Sequence, residues 1–442
     1  MSAPASISYH VNPGGVLRGR FRVPGDKSVS HRALMLGAIA RGDTRISGFL
    51  QGEDTLATMA AFREMGVAIE HQAEEVLVHG VGLHGLSRPA APLDLGNSGT
   101  STRLLAGLLA GQPFACELVG DASLMRRPMR RVVDPLRQMQ ADIQCTSEGT
   151  LPIRIQGGKK LKAINYALPV ASAQVKSCLL LAGLYAEGTT CVHEPSPTRD
   201  HTERMLLHFG GALTRKDNTI CITGGGELRA ADITVPADIS SAAFFMAGAC
   251  LSPGSVITLE DVGVNPTRTG VIRILRAMGA DITLSNERTV SGEPVADIQI
   301  RAARLHGIDI PEDLVPLAID EFPAIMVAAA SASGRTVLRG ARELRVKESD
   351  RILAITEGLK AIGVPCSAHE DGMEVSGGSI TGGTVNSFTD HRIAMAFAMA
   401  GLAATRPVTI LDCANVNTSF PGFVELAQQA GLHIERQDSG GV

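Results

Sequence analysis

Aromatic residues make up only 3% of the 442-residue sequence, and tryptophan is absent from it. A chain with so few aromatic rings offers few platforms on which the bases of single-stranded nucleic acid stack. The formal net charge is -4, so no overall positive field attracts nucleic acid or an anionic membrane surface. The longer apolar runs, such as 324–332, are far shorter than a membrane span. We therefore expect neither nucleic acid nor a membrane as a partner.

Paired cysteine motifs are also missing. The eight cysteines lie at 116, 145, 178, 191, 221, 250, 366 and 413, without a C-x-x-C motif. This pattern favours reduced thiols over a disulfide framework or a zinc site, and we expect no bound metal. Residues 1–11 lack a basic stretch followed by an apolar run, so we expect no signal peptide. The resulting prediction is a cytoplasmic location.

A repeated motif is the strongest positive feature of the sequence. With 44% hydrophobic and 19% charged residues, the chain has the composition of a globular protein and the length of two domains. A helix-like stretch, a five-residue motif similar to M-G-A-D-I and a strand-like pattern occur together six times. We call these five-residue segments the repeat motifs, and they lie at 65–69, 139–143, 209–213, 278–282, 362–366 and 430–434. Such periodicity indicates repeated structural units.

Each repeat contains two different helix patterns. The first helix opens on a polar cluster and is then small and apolar on nearly all sides, which is typical of a buried helix. The second is amphipathic and ends at the repeat motif, and short alternating runs such as 151–155 and 297–301 predict strands. We predict an α/β fold with two domains, each of three βαβαββ-type repeats with buried helices and outer sheets. Buried helix starts in such a fold present backbone N–H groups to anions.

Charged side chains are concentrated at the helix openings. Lys27 and Arg32 lie in the first opening and Arg103 in the second, where Gly99 permits close approach to the backbone. Further cations precede the second helices, namely Arg126, Arg127, Arg130, Arg131, Arg199, Arg345, Lys347 and Arg351. Because guanidinium groups match the geometry of phosphate and carboxylate, this set indicates a small, multiply anionic substrate.

Two acids, Asp320 and Glu348, lie among the same openings and are candidates for a general base and a general acid.

Each of these residues taken alone also has an ordinary structural explanation. Ser, Asp and Asn at helix starts are common N-caps. The arginines of 126–131 can pair with acids such as Asp121, and Lys347 can belong to an exposed helix start. His31 and His391 fit structural positions as well as they fit proton transfer. Only the complete set favours a binding site.

Six motifs occur in series along the chain. They are PGDKSVSHR at 24–32, LGNSGT at 95–100, RRPM at 126–129, ASAQVKS at 171–177, LRVKESDR at 344–351 and DHRIAMA at 390–396. In this order and spacing they resemble the 5-enolpyruvylshikimate-3-phosphate synthases, a family of enolpyruvyl transferases. The resemblance extends from about residue 24 to about residue 423.

The resemblance implies an enzyme that joins phosphoenolpyruvate to the 5-hydroxyl group of shikimate 3-phosphate and releases phosphate. This reaction belongs to the shikimate pathway of aromatic amino acid biosynthesis, and the family is the target of glyphosate. The implied partners are these two small molecules, without a metal or organic cofactor, and we expect a monomer. The implied domains are residues 1–25 with 239–442, and residues 26–238 inserted between them, with the active site in the interdomain cleft.

The resemblance also assigns roles to individual residues. Asp320 takes the proton of the attacking hydroxyl, and Glu348 with Lys27 handles the proton at the methylene carbon. The implied contacts of shikimate 3-phosphate are Lys27, Ser28, Arg32, Ser172, Gln174, Arg199, Asp320 and Lys347. The implied contacts of phosphoenolpyruvate are Lys27, Gly99, Arg127, Gln174, Arg351 and Arg392. Protonating the enol carbon of phosphoenolpyruvate while an alcohol attacks it requires an acid and a base at one tetrahedral centre.

The sequence departs from the family pattern near its end. Many members carry a lysine just before a T-F-P-like motif, but here 417–421 has none and no lysine follows Lys360. Ala173 stands where some members have a serine.

Two alternatives remain at this stage. The UDP-N-acetylglucosamine enolpyruvyl transferases share the fold, but typically have Lys-Asn where this chain has Lys27-Ser28. They also carry a reactive cysteine in the loop that matches 120–124, whereas Cys116 here lies in the preceding strand pattern. The other alternative is a non-catalytic anion-binding relative, and the presence of Asp320, Glu348 and Lys27 argues against it.

Overall fold

The computed structural model describes residues 6–72 and 75–439. The chain forms two compact units. The unit that we call the terminal unit contains the described residues up to 24, residues 237–288 and the described residues from 294. The inserted unit contains residues 25–236, apart from the undescribed 73–74, and the short segment 289–293. Helices and sheets alternate in both units, which confirms the predicted α/β class.

The inserted unit has six α-helices in its described residues. They are α1 (Lys27–Ile39), α2 (Glu53–Glu64), α3 (Gly99–Ala110), α4 (Arg130–Gln138), α5 (Ala173–Gly183) and α6 (His201–His208). Its strands are β3 (Arg41–Ser47), β4 (Ile69–Gln72), β5 (Glu75–Val81), β6 (Leu93–Asp94), β7 (Cys116–Val119), β8 (Ile143–Gln144), β9 (Ile153–Ile155), β10 (Asn165–Ala167), β11 (Thr189–His193), β12 (Leu213–Lys216), β13 (Thr219–Thr223) and β14 (Ile233–Thr234).

The three sheets of the inserted unit have one topology. Their strand orders are β14-β3-β5-β4, β6-β7-β9-β8 and β10-β11-β13-β12. In each sheet the first pair is parallel and the other two pairs are antiparallel. The first repeat obtains its parallel strand, β14, from the far end of the inserted segment rather than from the residues before α1.

The terminal unit has the same kinds of element. In the described residues its helices are α7 (Ile239–Leu251), α8 (Gly270–Ala277), α9 (Phe322–Ala329), α10 (Arg351–Ala361), α11 (His391–Ala400) and α12 (Phe423–Ala430). Its strands are β1 (Ser6–Val11), β2 (Arg18–Phe21), β15 (Val256–Gly263), β16 (Asp281–Val290), β17 (Glu293–Arg301), β18 (Arg335–Leu338), β19 (Cys366–His369), β20 (Gly372–Ser376), β21 (Gly383–Asn386), β22 (Val408–Leu411) and β23 (Ile434–Ser439).

The sheets of the terminal unit repeat the topology with two changes. Their orders are β16-β17-β15-β2, β18-β20-β19 and β21-β22-β1-β23. In the last sheet β1, from the start of the chain, lies between β22 and β23 and is antiparallel to both. The three-stranded sheet has isolated parallel bridges, such as Asp309 to Val337, where the other sheets have a fourth strand.

One helix of each repeat is buried on nearly all sides. These inner helices are α1, α3, α5, α7, α9 and α11. Within the units, α3 packs on α5, and α9 packs on both α7 and α11. Five of the six helices begin at a Ser or Asp whose side chain accepts a backbone N–H, namely Asp26, Ser98, Ser172, Asp238 and Asp390. The prediction that the apolar helices are interior is confirmed, and their polar starts are N-caps.

The repeat motif ends the outer helix of each repeat. Its second residue has a positive φ in all six copies, from 67° at Gln140 to 110° at Gly431. The third residue then donates a backbone hydrogen bond to the carbonyl five residues earlier, as Val67 does to Phe62 at 3.0 Å. This pattern is the Schellman motif, in which glycine is favoured because the left-handed conformation is strained for other residues. The repeated glycine is therefore a helix stop.

Gln140 is the exception among the six stops, because it adopts φ 67° with a side chain. We expect Gln140→Gly to raise the free energy of unfolding by about 0.5–1 kcal/mol, measured by urea unfolding. The reverse change, Gly210→Ala, should lower it by a similar amount. A Cβ at Gly210 meets no atom within 4 Å, so only its φ of 80° opposes the side chain. A lower stability of Gln140→Gly would contradict this explanation of the motif.

Cys191 and Cys221 form a disulfide. They face each other in the antiparallel register of β11 and β13, with their Cα atoms 4.1 Å apart. The expectation of reduced thiols is therefore wrong for this pair, because a separation of 30 residues along the chain hides their adjacency across the sheet. The other six cysteines are free.

Candidate active site

The opening of α1 places a lysine against an acid in the inserted unit. Asp26 caps the helix by accepting the N–H of Val29 at 2.9 Å, which leaves Lys27 as the first helical residue. The Lys27 Nζ lies 3.0 Å from an Asp54 carboxylate oxygen at the start of α2. Both side chains are largely buried, so the ammonium has little freedom. The sequence prediction included Lys27 but missed Asp54, whose position in the first turn of the next helix is the only signal for it.

A cluster of polar groups surrounds the opening of α3. Arg127 donates through Nη2 to the Asn97 side-chain oxygen at 2.5 Å, just before Gly99 begins the helix. Arg103 donates through Nη1 to the Gln174 side-chain oxygen at 2.6 Å. Both arginines are more than 90% buried, and each has an Nη1 atom 3.1 Å from where a Cβ on Gly99 would lie. The absence of a side chain at Gly99 therefore leaves space beside two guanidinium groups.

Arg103 lies at the opening of α3 and is not one of the substrate contacts that the family resemblance implies. The structure brings it together with the predicted residues Gly99, Arg127 and Gln174. Gln174 also donates to the Thr100 hydroxyl at 3.0 Å, which links the openings of α3 and α5.

Arg32 lies in a second group of buried polar residues in the inserted unit. It donates through Nε to the Thr202 hydroxyl at 2.6 Å, through Nη2 to the Ser177 hydroxyl at 3.0 Å and through Nη1 to the Ser28 carbonyl at 2.9 Å. Burial lowers the pKa of Arg32 to about 10, and the positive charge of Arg199 contributes to the lowering. Two predicted contacts of shikimate 3-phosphate, Arg32 and Arg199, are thus close enough for their charges to interact.

Ser172 is the N-cap of α5, where its hydroxyl accepts the N–H of Val175 at 3.4 Å.

His31 is a further titratable group in the opening of α1, beside Lys27 and Arg32. It is fully buried and its Nδ1 contacts the Thr58 hydroxyl at 2.8 Å. Burial lowers its pKa well below the usual value, and the charges of Lys27 and Arg32 lower it further. His31 is therefore neutral at physiological pH and fits a structural position.

In the terminal unit, Arg351 is the centre of a buried ionic network. Its Nε donates to Asp390 at 2.8 Å, its Nη1 to Asp320 at 3.1 Å and its Nη2 to Glu348 at 2.6 Å. Burial alone lowers the pKa of Arg351, but the carboxylates of Asp390, Glu348 and Asp320 outweigh burial and raise it. The arginine is permanently charged and fixes two candidate proton-transfer groups relative to each other.

Asp320 is in contact with three cations. Besides Arg351, Lys347 lies with its Nζ 3.6 Å from Asp320 Oδ1, and Arg392 lies with its Nη2 3.9 Å from Oδ2. Arg392 also donates to the Asp320 backbone carbonyl at 3.2 Å. Neighbouring positive charges stabilise the ionised form of a carboxylate, which is the form that accepts a proton.

Asp390 is the residue of this network that the sequence prediction left out. It caps α11 through the N–H of Arg392 at 2.9 Å and accepts from the Ser349 hydroxyl at 3.0 Å. It was recognised only as a helix opening, since an N-cap and an ion-pair partner have the same sequence signature. The structure thus brings together five predicted residues of the terminal unit. Asp320 and Arg351 are at the centre, and Lys347, Glu348 and Arg392 contact one or the other of them.

Solved structures of similar overall form define the class of the fold. NikO from Streptomyces tendae, described as an enolpyruvyl transferase, superposes with a TM-score of 0.80 at 17% identity, over 99% of this chain and 100% of that one. The EPSP synthase of Acinetobacter baumannii superposes with a TM-score of 0.88 at 56% identity, over 98% and 100% of the two chains. The chain has the enolpyruvyl transferase fold, as predicted.

The sequence comparisons identify the family within that fold. Residues 11–426 match the family model described as EPSP synthase (3-phosphoshikimate 1-carboxyvinyltransferase). The 3-phosphoshikimate 1-carboxyvinyltransferase of Methylococcus capsulatus is 65% identical over 97% of this chain and 98% of its own length. That of Alkalilimnicola ehrlichii is 63% identical over 98% of both. The chain belongs to the EPSP synthase family.

Proposed function

We propose that this protein transfers the enolpyruvyl group of phosphoenolpyruvate to the 5-hydroxyl group of shikimate 3-phosphate. The hydroxyl oxygen forms a bond to C2 of phosphoenolpyruvate as the methylene carbon gains a proton, which gives a tetrahedral intermediate. Loss of a proton from the new methyl group and of phosphate from C2 then gives the enol ether product. The observation that carries the proposal is the contact of Asp320 with Lys347, Arg351 and Arg392 beside Glu348.

The inserted unit supplies positive charge for the substrate anions in this proposal. Arg32, Arg199 and the hydroxyl groups of Ser28 and Ser172 bind shikimate 3-phosphate, and Arg127 binds phosphoenolpyruvate next to Gly99. Both substrates carry phosphate and phosphoenolpyruvate also carries a carboxylate, so bringing them together requires neutralising cations. Gln174 is adjacent to both sets, because it donates to Thr100 next to Gly99 and lies in the first turn of the helix that Ser172 caps.

The terminal unit supplies the two carboxylates for the proton transfers in this proposal. Asp320 takes the proton of the 5-hydroxyl, while Lys347 completes the contacts to shikimate 3-phosphate. Glu348 acts with Lys27 on the methylene carbon, and Arg351 and Arg392 bind phosphoenolpyruvate. Because one tetrahedral centre needs both proton transfers, we infer that Asp320, Glu348 and Lys27 act on the same substrate pair.

We further propose that the protein works as a monomer in the cytoplasm, without a metal or organic cofactor. The reaction needs no redox cofactor, because addition and elimination leave the substrates neither oxidised nor reduced overall. Within 6–72 and 75–439, no helix combines the length and the apolar character needed to cross a membrane. Size-exclusion chromatography with light scattering measures the state of association directly.

The rival UDP-N-acetylglucosamine activity is disfavoured by the cysteine near the relevant loop. Burial raises the pKa of the Cys116 thiol to about 12, so the sulfur is protonated at neutral pH and is a poor nucleophile. Cys116 also pairs with Ile155 in the sheet, which places it in β7 rather than in the loop after it.

The proposed function is tested by measuring phosphate release from phosphoenolpyruvate with each acceptor. We expect turnover with shikimate 3-phosphate and none with UDP-N-acetylglucosamine. Turnover only with the UDP-sugar would establish the rival activity, and no turnover with either would favour an anion-binding relative. Mass spectrometry of the product, which gains the enolpyruvyl group, separates transfer from simple hydrolysis of phosphoenolpyruvate.

A further inference from the structure

Lys176 is a completely buried lysine in the second turn of α5. Its Nζ lies 3.0 Å from Glu194 Oε1 and 2.6 Å from Glu203 Oε1, and both carboxylate side chains are themselves almost fully buried. Lysine is rarely buried unless it is paired, since removing an ammonium from water is costly. Nothing in the proposed reaction uses this side chain, so its burial needs another explanation.

The two glutamates stand at the ends of one irregular segment. Glu194 directly follows β11, and Glu203 lies in the first turn of α6, which begins at His201. The residues between them contain Arg199. Lys176 also donates to the Thr198 carbonyl at 3.5 Å, one residue before that arginine. A single ammonium therefore contacts both ends of the segment and its middle.

The neighbouring residues join this cluster to Arg32. Ser177, next to Lys176, and Thr202, next to Glu203, share a hydrogen bond of 2.7 Å in which Thr202 donates. Both hydroxyls also accept from the Arg32 guanidinium. Two sets of contacts therefore connect α5 to the start of α6. One is made by Lys176, and the other by Arg32 with the hydroxyls of Ser177 and Thr202.

Charged groups from several elements lie around this cluster. Lys176 faces the carboxylates of Glu194 and Glu203, while Thr198 donates its hydroxyl to Glu194. His201, on the other side of the start of α6, contacts the buried Glu293 at 2.8 Å. Further charges close to the cluster are those of Arg32, Arg199, Asp26, Asp200 and Arg204, and Arg204 donates to Asp200 at 2.9 Å.

We propose that Lys176 is a positioning residue that holds the segment 194–203 against α5. By doing so it keeps Arg199 in place relative to Ser172 and Gln174, which stand at the opening of the same helix. The inference rests on the proposed function for its meaning, since these are the proposed contacts of shikimate 3-phosphate. The geometry itself is independent of any substrate.

Kinetic constants of Lys176→Met provide the first test. We expect the KM for shikimate 3-phosphate to rise about tenfold while the KM for phosphoenolpyruvate changes less than about threefold and kcat is nearly unchanged. A lysine that only stabilised the fold would lower the amount of active enzyme without changing the KM of the enzyme that remains. Lys160→Met is the matched control, because Lys160 is 88% exposed and lies 3.7 Å from Glu187 in the same unit.

The pH dependence gives a second readout. Burial raises the pKa of Glu203 above its usual value, and the charge of Lys176 opposes that rise. Without the ammonium the pKa rises further, so protonation at lower pH relieves the unpaired negative charge. We expect the ratio of the variant's KM to the wild-type KM to be larger at pH 8.5 than at pH 6.5. Using this ratio cancels the titration of the substrate phosphate.

Limited proteolysis tests the same inference without substrate. Trypsin cleavage after Arg199, followed by mass spectrometry, should be at least about fivefold faster in Lys176→Met than in wild type or Lys160→Met. If the wild type has no turnover but this cleavage difference is found, the proposed function fails and the positioning role stands. The positioning role would be overturned if Lys176→Met had the KM values and the cleavage rate of the wild type and if its KM ratio did not change with pH.

Glu203→Gln keeps the test decisive if Lys176→Met does not fold. This variant leaves the ammonium paired with Glu194, so the fold is retained while one end of the segment loses its charged contact. We expect about a threefold higher KM for shikimate 3-phosphate and faster cleavage after Arg199. A Glu203→Gln enzyme equal to wild type in both measurements would contradict the proposal.

Discussion

Asp320→Asn should lower kcat by about 10²- to 10⁴-fold, the range typical for loss of a general base. Asparagine has nearly the same shape and can still accept the hydrogen bond that Arg351 donates at 3.1 Å. It cannot take a proton from the attacking hydroxyl. Binding of shikimate 3-phosphate, measured by calorimetry, should therefore change by less than about threefold while turnover is largely lost.

The control for this substitution is Asp313→Asn in the same unit. Asp313 is 70% exposed and its nearest cation is Arg273 at 3.9 Å, so the change should leave kcat and KM unaltered. Near-normal turnover in Asp320→Asn would remove Asp320 as the base. Weak binding together with lost turnover would instead indicate that the Asp320 charge holds Lys347 and Arg392 in place.

Gly99→Ala should raise the inhibition constant of glyphosate on the order of a hundredfold. The added Cβ would lie 3.1 Å from Arg103 Nη1 and 3.1 Å from Arg127 Nη1, closer than most such contacts. Arg127 is bonded to Asn97 at 2.5 Å, so it cannot move without weakening that bond. The space beside these guanidinium groups, where we place phosphoenolpyruvate, therefore becomes smaller.

Glyphosate should be affected more than the substrate, because its chain between carboxylate and phosphonate is one atom longer than that of phosphoenolpyruvate. We expect the KM for phosphoenolpyruvate to rise about tenfold. Gly226→Ala is the matched control, since a Cβ there meets no atom within 4 Å. The measurement is the inhibition constant of glyphosate, determined in competition with phosphoenolpyruvate. Equal values for wild type and Gly99→Ala would show that a Cβ at residue 99 does not reduce the space for glyphosate.

The fold was largely predictable because its determinants are local. Apolar residues on all sides of 33–39 predict a buried helix, and the six repeat motifs, five of which contain glycine, mark helix ends whose hydrogen bonds span five residues. The order of the strands was not predictable in the same way. Nothing local indicates that β14 pairs with β3, or that Cys191 lies opposite Cys221, because both depend on register across a sheet.

The charged groups that face a substrate were easier to predict than their supports. Lys27 and Arg351 follow from motif and charge, whereas Asp54 and Asp390 have the sequence appearance of ordinary helix starts. Lys176 lies within a motif that was recognised, but burial of a lysine depends on Glu194 and Glu203 in a distant segment. Supporting residues such as Asp54, Asp390, Glu194 and Glu203 can be identified only from the folded structure.

The place of β1 between β22 and β23 has a consequence for synthesis on the ribosome. Residues 25–236 are continuous along the chain, so once β14 has left the exit tunnel the three sheets of the inserted unit contain all their strands. Among the strands that the structure describes, β1 emerges before all others, yet its hydrogen-bonding partners at 408–411 and 434–439 are the last to be translated. During nearly the whole of translation its backbone N–H and C=O groups lack their final partners. Chaperones that bind extended nascent segments have their longest opportunity at this strand.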